Sequence, residues 1–250
     1  MWKAVCARGV GSTVGGALRW QSTGGGILED LSSVAAGLKG KHLDTLFNFS
    51  KEEVQFLLDV SKSFQDDAKS ASGLPPLLKG KTMAMLFQKR STRTRVSTET
   101  GLAKLGGHAL FLSSDDIQLG VNESVRDTVE VLSRFNDVIL ARVYSHDVIE
   151  EMMKYSSVPI INGLSDLYHP LQGLADLKTI LDHFGQLEGL KVAWVGDGNN
   201  VLHSLMAGAR LFGMNMAVAT PKGFEPDAKV VSACRDAAIE YTSDPREAVQ

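Results

Sequence analysis

Short, largely apolar runs alternate along this chain with longer amphipathic stretches, and that alternation leaves few folds open. Thr82–Phe87 (TMAMLF), 108–112 (HALFL), 137–141 (DVILA) and 158–161 (VPII) are too short for helices, and several are apolar on both faces. Strands of that kind belong inside a parallel sheet covered by helices on both sides. Between them, 92–105 (closed by Gly106 and Gly107), 123–135 and 146–155 carry helical periodicity. Ahead of them, Ser50 opens a helix: Glu53 stands at the capping-box spacing, and Val54, Leu57, Leu58 and Val60 form an apolar stripe. A Pro/Gly-containing loop fills 71–80. After His169-Pro170 comes a long amphipathic stretch, 171–184, and then the alternation restarts. A strand at 191–195 (KVAWV), a GDGNN turn, a helix at 201–212, a strand at 215–219 and a helix at 225–241, opened by Pro226, complete the pattern. The expected fold class is therefore α/β: two doubly wound parallel-sheet domains, 38–170 and 171–250. The second is expected to be incomplete, with two clear strands where such a sheet usually has about five and a helix start at Asp244-Pro245 close to Gln250.

Composition narrows the function classes. Hydrophobic residues make up 44% and charged residues 22% of the 250, ordinary for a globular protein. A net charge of −3 gives no general attraction to nucleic acid or an anionic membrane. No apolar run approaches the roughly 20 residues a membrane span needs. Cys6 and Cys234, far apart, make no disulfide framework, and a reducing compartment fits better. Residues 1–26 are different in kind. They hold Lys3, Arg8 and Arg19 with Ser12, Thr13, Ser22 and Thr23, and the first acidic residue is Glu29. Basic, hydroxyl-rich and acid-poor is the composition of a mitochondrial transit peptide, the alternative being a disordered tail. A mitochondrial matrix protein is expected.

The chemistry concentrates at 87–95, Phe-Gln-Lys-Arg-Ser-Thr-Arg-Thr-Arg. A buried strand ends there and a hydroxyl- and arginine-rich turn runs straight into a helix. First-turn N–H groups and the helix dipole favour an anion, Ser91, Thr92 and Thr94 add hydroxyl donors, and Arg93 offers two parallel hydrogen bonds to a phosphate. Basic residues at the positive end of a helix are wrong for stability alone, so an anion is needed to offset them. Arg90 and Arg95 fit structural ion pairs as well as they fit ligands.

Ser-Thr-Arg-Thr-Arg after a strand resembles the carbamoyl-phosphate motif of the aspartate/ornithine transcarbamylase family. The run 91–107 (STRTRVSTETGLAKLGG), 116–120 (DIQLG), 141–143 (ARV), 162–172 (NGLSDLYHPLQ) and 197–200 (DGNN) resemble its ornithine branch, in family order across 38–250. The resemblance implies that Ser91, Thr92, Arg93 and Thr94 hold the phosphate of carbamoyl phosphate. It places Arg142, at the carboxyl end of a strand where open parallel sheets bind ligands, on both phosphate and carbonyl oxygen. His169, neutral or protonated, would donate to the same carbonyl, and Gln172 would accept from the carbamoyl NH2. Gln118 would reach the phosphate of a neighbouring subunit, implying a homotrimer with shared sites. Asn200 would bind the α-amino-acid group of ornithine.

The implied reaction is transfer of the carbamoyl group to the δ-amine of L-ornithine, giving citrulline and phosphate, a step of the urea cycle and arginine biosynthesis. Arg93, Thr94, Arg142 and His169 are its expected catalytic residues, acting by positioning and electrostatic stabilisation without metal or cofactor. No Cys/His pattern suggests zinc. Gly196-Asp197-Gly198 hints at a nicotinamide fingerprint, but Val201 stands where the third glycine belongs. The sequence departs from the family in lacking the later Asp…Ser-Met-Gly loop, the His-Cys-Leu-Pro motif and a late arginine. The carbamoyl-phosphate site is therefore expected nearly whole and the ornithine site half built. Cys234, on the expected helix at 225–241, reads as a small, partly buried residue rather than a substitute. Two alternatives stay open: an aspartate carbamoyltransferase, and a truncated, non-catalytic subunit that binds carbamoyl phosphate.

Overall fold

A computed structural model of the chain describes residues 33–71, 73–113 and 123–250. The expected leader (1–26) and Gln118 lie outside these residues. Helix α1 (Lys51–Lys69) starts as anticipated: the Ser50 hydroxyl accepts from the Glu53 amide while the Glu53 carboxylate accepts from the Ser50 amide. Four parallel strands follow, β1 (Thr82–Phe87), β2 (His108–Ser113), β3 (Val138–Arg142) and β4 (Ile160–Leu164), separated by α2 (Thr92–Lys104), α3 (Val125–Phe135) and α4 (His146–Tyr155). Helix α5 (Pro170–Phe184) leads to β5 (Lys191–Val195), α6 (Asn200–Phe212), β6 (Asn215–Ala219), α7 (Ala228–Ala233), β7 (Ile239–Thr242) and α8 (Pro245–Ala248). No helix among the described residues is long and apolar enough to cross a membrane.

The first sheet has the order β2-β1-β3-β4, the second β5-β6-β7, and every pairing is parallel. The period of two along β1 sorts its side chains to two cores. Ala84 and Leu86 pack with Val129, Ile139, Ile149 and Met152 on one face; Met83, Met85 and Phe87 pack with Leu102, Val138 and Leu140 on the other. A third core joins α1, α5, α6 and β6 through Leu58, Leu177, Leu202, Met206 and Met216. Helices α5 and α6 approach closely because Gly208 faces Leu177, where a Cβ would sit 2.9 Å from the leucine Cδ1, and Gly173 faces Leu46 and Ser204 at 3.1 Å.

Chain order in the first sheet reverses between β1 and β3. That is the switch point at which the loops after the two strands part and leave a crevice at their carboxyl ends.

Three expectations shift. Strand β3 begins one residue later than anticipated, at Val138; Asp137 just before it accepts on its carboxylate from the Thr82 amide (2.9 Å) and Lys81 Nζ (2.6 Å), while its own amide donates to Thr82 O (3.0 Å). Strand β4 begins after Pro159 and runs through Asn162-Gly163, with a register break opposite Ala141 and Arg142. The third shift is a correction: 225–241 is not one helix. Asp227 caps the short α7, the chain turns at Cys234, and β7 pairs with β6 from Met216↔Ile239 to Ala219↔Thr242. The apolar edge of β6 takes a third strand there, against the helical preference of Arg235, Ala237 and Ala238. Cys234 sits at the C-cap of α7, fully buried, and burial pushes its thiol up to about 11.

Candidate functional site

Backbone hydrogen bonding first locks the two strand ends at the switch point. The Gln88 amide donates to Arg142 O (2.8 Å) and the Gln88 side-chain oxygen accepts from the Tyr144 amide (2.9 Å), so the loops after β1 and β3 cannot drift apart. Just beyond, Ser91 caps α2 by accepting from the Thr94 amide at 3.2 Å. The amides of Thr92 and Arg93, in the first turn, have no carbonyl four residues behind them and remain donors at the positive end of a 13-residue helix.

Arg142 is the last residue of β3, opposite Phe87 on one side and Leu164 on the other. Gly163 permits the register break beside it, since a Cβ there would lie 2.8 Å from Leu140 Cδ2. The loop 165–169 is held by its own polar groups. Ser165 Oγ accepts from the Tyr168 amide (3.1 Å), Asn162 Nδ2 donates to Asp44 O (2.9 Å), and the His169 amide donates to Ser204 Oγ on α6 (2.8 Å). These contacts set His169 at the N-cap of α5 with its ring half-buried and Gln172 in the first turn.

A cavity of about 400 Å³ opens where these pieces meet, lined by Ser91, Arg93, Thr94, Arg142, His169 and Gln172 together with Ser97, Thr98, Leu164, Leu171 and Val201. Among the described residues no carboxylate lines it. Among the described residues neither Arg93 nor Arg142 is in an ion pair, whereas Arg95 bonds Glu99 at 3.0 Å and stacks over Phe111 at 3.6 Å. Arg142 Nε and His169 Nδ1 are buried without a hydrogen-bond partner. Burial, and then the like charge of Arg93, lowers the hold of Arg142 on its proton. Burial, and then the charge of Arg142, pushes His169 down to about 4, so its imidazole is neutral at physiological pH. Two unpaired guanidiniums, an orphaned buried N–H and free helix amides together describe a site for a polyoxygenated anion.

Six of the expected site residues thus share one cavity. Thr92 is exposed at the start of α2 and does not line it, and Gln118 lies outside the described residues. Asn200 is beside the cavity rather than in its wall, and its Nδ2 donates to Ser165 O at 2.5 Å. Gln172 Nε2 donates to Asp176 Oδ1 at 2.8 Å. Ser97 and Thr98 escaped notice in the sequence; their signal is the spacing of three and four from Thr94, which puts them on one helical face. Gln88 had no sequence signal, because its part depends on Arg142 and Tyr144, which are remote in the chain.

The Gly196-Asp197-Gly198 turn has a structural explanation. A Cβ on Gly198 would lie 2.3 Å from Pro226 N, and the Gly198 amide donates to Phe224 O at 2.7 Å, so the glycine lets two loops touch backbone to backbone. The first turn of α6 is already satisfied: Asn199 Oδ1 accepts from the amides of Val201 (3.0 Å) and Leu202 (3.2 Å). A pyrophosphate would find those donors spent.

The family model for the aspartate/ornithine carbamoyltransferase carbamoyl-P binding domain matches residues 41–182, and that for the Asp/Orn binding domain matches 188–250. The chain is 51% identical over 217 residues to a mitochondrial ornithine transcarbamylase of Gallus gallus, covering 84% of this chain and 61% of that protein. It is 51% identical over 223 residues to a mitochondrial ornithine carbamoyltransferase of Aquarana catesbeiana, covering 87% and 64%. The chain thus spans less than two thirds of the length of these relatives. Among solved structures, the ornithine carbamoyltransferase of Pyrococcus furiosus superposes with a TM-score of 0.82 at 46% identity, over 85% of this chain and 70% of that one. A mitochondrial ornithine carbamoyltransferase of Coccidioides immitis superposes with a TM-score of 0.80 at 44% identity, over 85% and 72%.

Proposed function

Because the chain belongs to the aspartate/ornithine carbamoyltransferase family, we propose that it binds carbamoyl phosphate in the cavity at the β1/β3 switch point and transfers the carbamoyl group to the δ-amine of L-ornithine. The observation that carries this reading is the pair of guanidiniums, Arg93 and Arg142, facing one cavity with neither an ion-pair partner nor a lining carboxylate among the described residues. The phosphate lies against Arg93, the hydroxyls of Ser91 and Thr94, and the free amides of α2, to which Thr92 brings its backbone N–H and not a cavity-lining side chain. The carbamoyl carbonyl points at Arg142, Thr94 and His169, and its NH2 at the Gln172 oxygen. The neutral amine attacks the carbonyl carbon. Arg142, Thr94 and the neutral imidazole of His169 stabilise the oxyanion, and the C–O bond to phosphate then breaks with Arg93 holding the leaving phosphate, which carries off the proton shed by the attacking nitrogen. Citrulline and phosphate are the products. Asn200 meets the amino-acid end of ornithine once its amide leaves Ser165 O.

Further parts of the reading rest on composition and on the relatives. Residues 1–26 act as a mitochondrial leader, supported by their basic, acid-poor make-up and by two relatives named as mitochondrial. Gln118 serves the site of a neighbouring copy in a homotrimer. Residues 38–170 form the carbamoyl-phosphate domain and 171–250 the ornithine-side unit.

A second reading, binding of carbamoyl phosphate without transfer, is favoured by one observation: the Asn200 amide is engaged with Ser165 rather than presented to the cavity. Citrulline formation from carbamoyl phosphate and ornithine, with aspartate as a control acceptor, separates the readings. Citrulline alone supports transfer to ornithine, and carbamoyl-aspartate would move the chain to the aspartate branch. Carbamoyl phosphate bound without product, and lost in Arg93→Ala, supports the binding subunit. No binding of any phosphate refutes the site.

A further inference from the structure

Gln172 stands in the wall between two cavities. It lines the cationic one, and it also lines a neighbouring space of about 370 Å³ bounded by Asp176, Thr179, Ile180, Trp194, Val201 and Leu205. Asp176 lines only the second. It lies one helical turn beyond Gln172 on α5 and accepts from Gln172 Nε2 at 2.8 Å. An amide is two-ended, with donors on nitrogen and an acceptor on oxygen, and either end fits the same volume. A carboxylate only accepts, so Asp176 fixes which end faces it. Among the described residues the Gln172 oxygen has no donor, and it is the end directed away from Asp176.

We propose that Asp176 is a positioning residue: by holding the Gln172 NH2 it presents the Gln172 oxygen to the anion cavity, so that the site selects an acyl phosphate bearing an NH2 over one bearing a methyl group. The inference rests on the carbamoyl-phosphate reading of the cavity and adds the group that orients its acceptor. If the glutamine were free to flip, its NH2 would face the NH2 of a carbamoyl group, donor against donor, in about half of the unliganded molecules, and the preference would shrink by about that fraction. Ordinary helix pairing between residues four apart explains the Gln172–Asp176 bond equally well in isolation. The selectivity of the cavity distinguishes the two accounts, because a surface pair has no influence on it.

The test is calorimetric titration of the full chain with carbamoyl phosphate, acetyl phosphate and inorganic phosphate. The wild-type protein is expected to prefer carbamoyl to acetyl phosphate by about tenfold, the worth of one satisfied hydrogen bond. Asp176→Leu, of similar volume and with no acceptor, is expected to lower that ratio by about two- to threefold and leave inorganic phosphate affinity within about twofold. Asp176→Asn, whose amide pairs with either end of Gln172, should fall between. An unchanged ratio in both variants, with inorganic phosphate still bound, overturns the positioning role and leaves the site reading intact. A wild-type protein that binds all three ligands without preference overturns the inference through Gln172 itself. A wild-type protein that binds none overturns both the site reading and the inference. Loss of inorganic phosphate binding in Asp176→Leu with retention in Asp176→Asn moves the decision to the ratio measured in the latter, where a wild-type ratio counts against the proposal.

Discussion

His169 offers the sharpest pH test of the site. Its imidazole is pushed from 6.5 to about 4, by burial first and by the charge of Arg142 second. A base held this way binds its proton less tightly in the folded chain than in the unfolded one. Its contribution to stability is therefore intact above about pH 6.5, declines as pH falls toward 4, and levels off below that. Between pH 7.5 and 5 the shift corresponds to about 2 kcal/mol, and screening of a ring partly open to solvent reduces this to about 1 kcal/mol. Urea unfolding of the wild type and of His169→Asn at both pH values isolates that increment. The other histidines that burial pushes down, His42, His146 and His203, contribute equally to both proteins. The backbone bond from residue 169 to Ser204 survives the substitution. The wild type is expected to lose about 1 kcal/mol more than the variant on acidification. Heteronuclear NMR of the ring nitrogens should show a midpoint well below 6.5 in the absence of anion and a higher one with phosphate bound, so phosphate affinity rises as pH falls. Identical pH dependence in the two proteins, or an anion-free midpoint at or above 6.5, refutes the reasoning.

Arg142→Met should lower phosphate affinity by about 10- to 100-fold in calorimetry, the worth of charge-assisted hydrogen bonds. It should leave thermal stability unchanged or raised, because it removes a partly buried cation with no ion-pair partner among the described residues. Gly198→Ala places a Cβ 2.3 Å from Pro226 N and 2.4 Å from Glu225 C, both backbone, so denaturation should reveal a loss of about 3 kcal/mol or more. Leu177→Ala, in a fully buried position between α5 and α6, should cost about 2–5 kcal/mol in the same assay. Because Leu177 lies outside the cavity, phosphate affinity in the surviving folded fraction should change by less than about twofold.

Much of the architecture is local and was legible in the residues. Strand β1 declared itself because TMAMLF is apolar at every position after Thr82, which fits a doubly covered strand. The start of α1 was visible as Ser50 with Glu53, since a cap is made within four residues, and that of α2 as the helical pattern beginning at Thr92; the Ser91 cap itself emerged from the structure. The anion loop was visible for the same reason: its donors, its arginine and its helix dipole are contiguous. Strand β7 was not visible, because Ile239, Tyr241 and Thr242 follow helix-favouring alanines and take extended form only where the edge of β6 is unpaired. What Gly198 does was also hidden, since the loop it touches arrives from 224–226.

By itself the sequence determined the α/β alternation, the parallel sheets it implies, and a phosphate-sized concentration of donors after β1. Those are consequences of side-chain periodicity and backbone capping, whose range is a few residues. Arg142, His169 and Gln172 were joined to that loop in the sequence only by family resemblance; tertiary structure decided how they converge on it, that no carboxylate among the described residues stands in the cavity wall, that His169 is neutral there, and that Asn200 turns to Ser165. Each of these depends on strand order and on the close approach of α5 to α6 at Gly173 and Gly208. Desolvation and charge pairing are properties of neighbours in space, and a linear sequence specifies those only through the packing it produces.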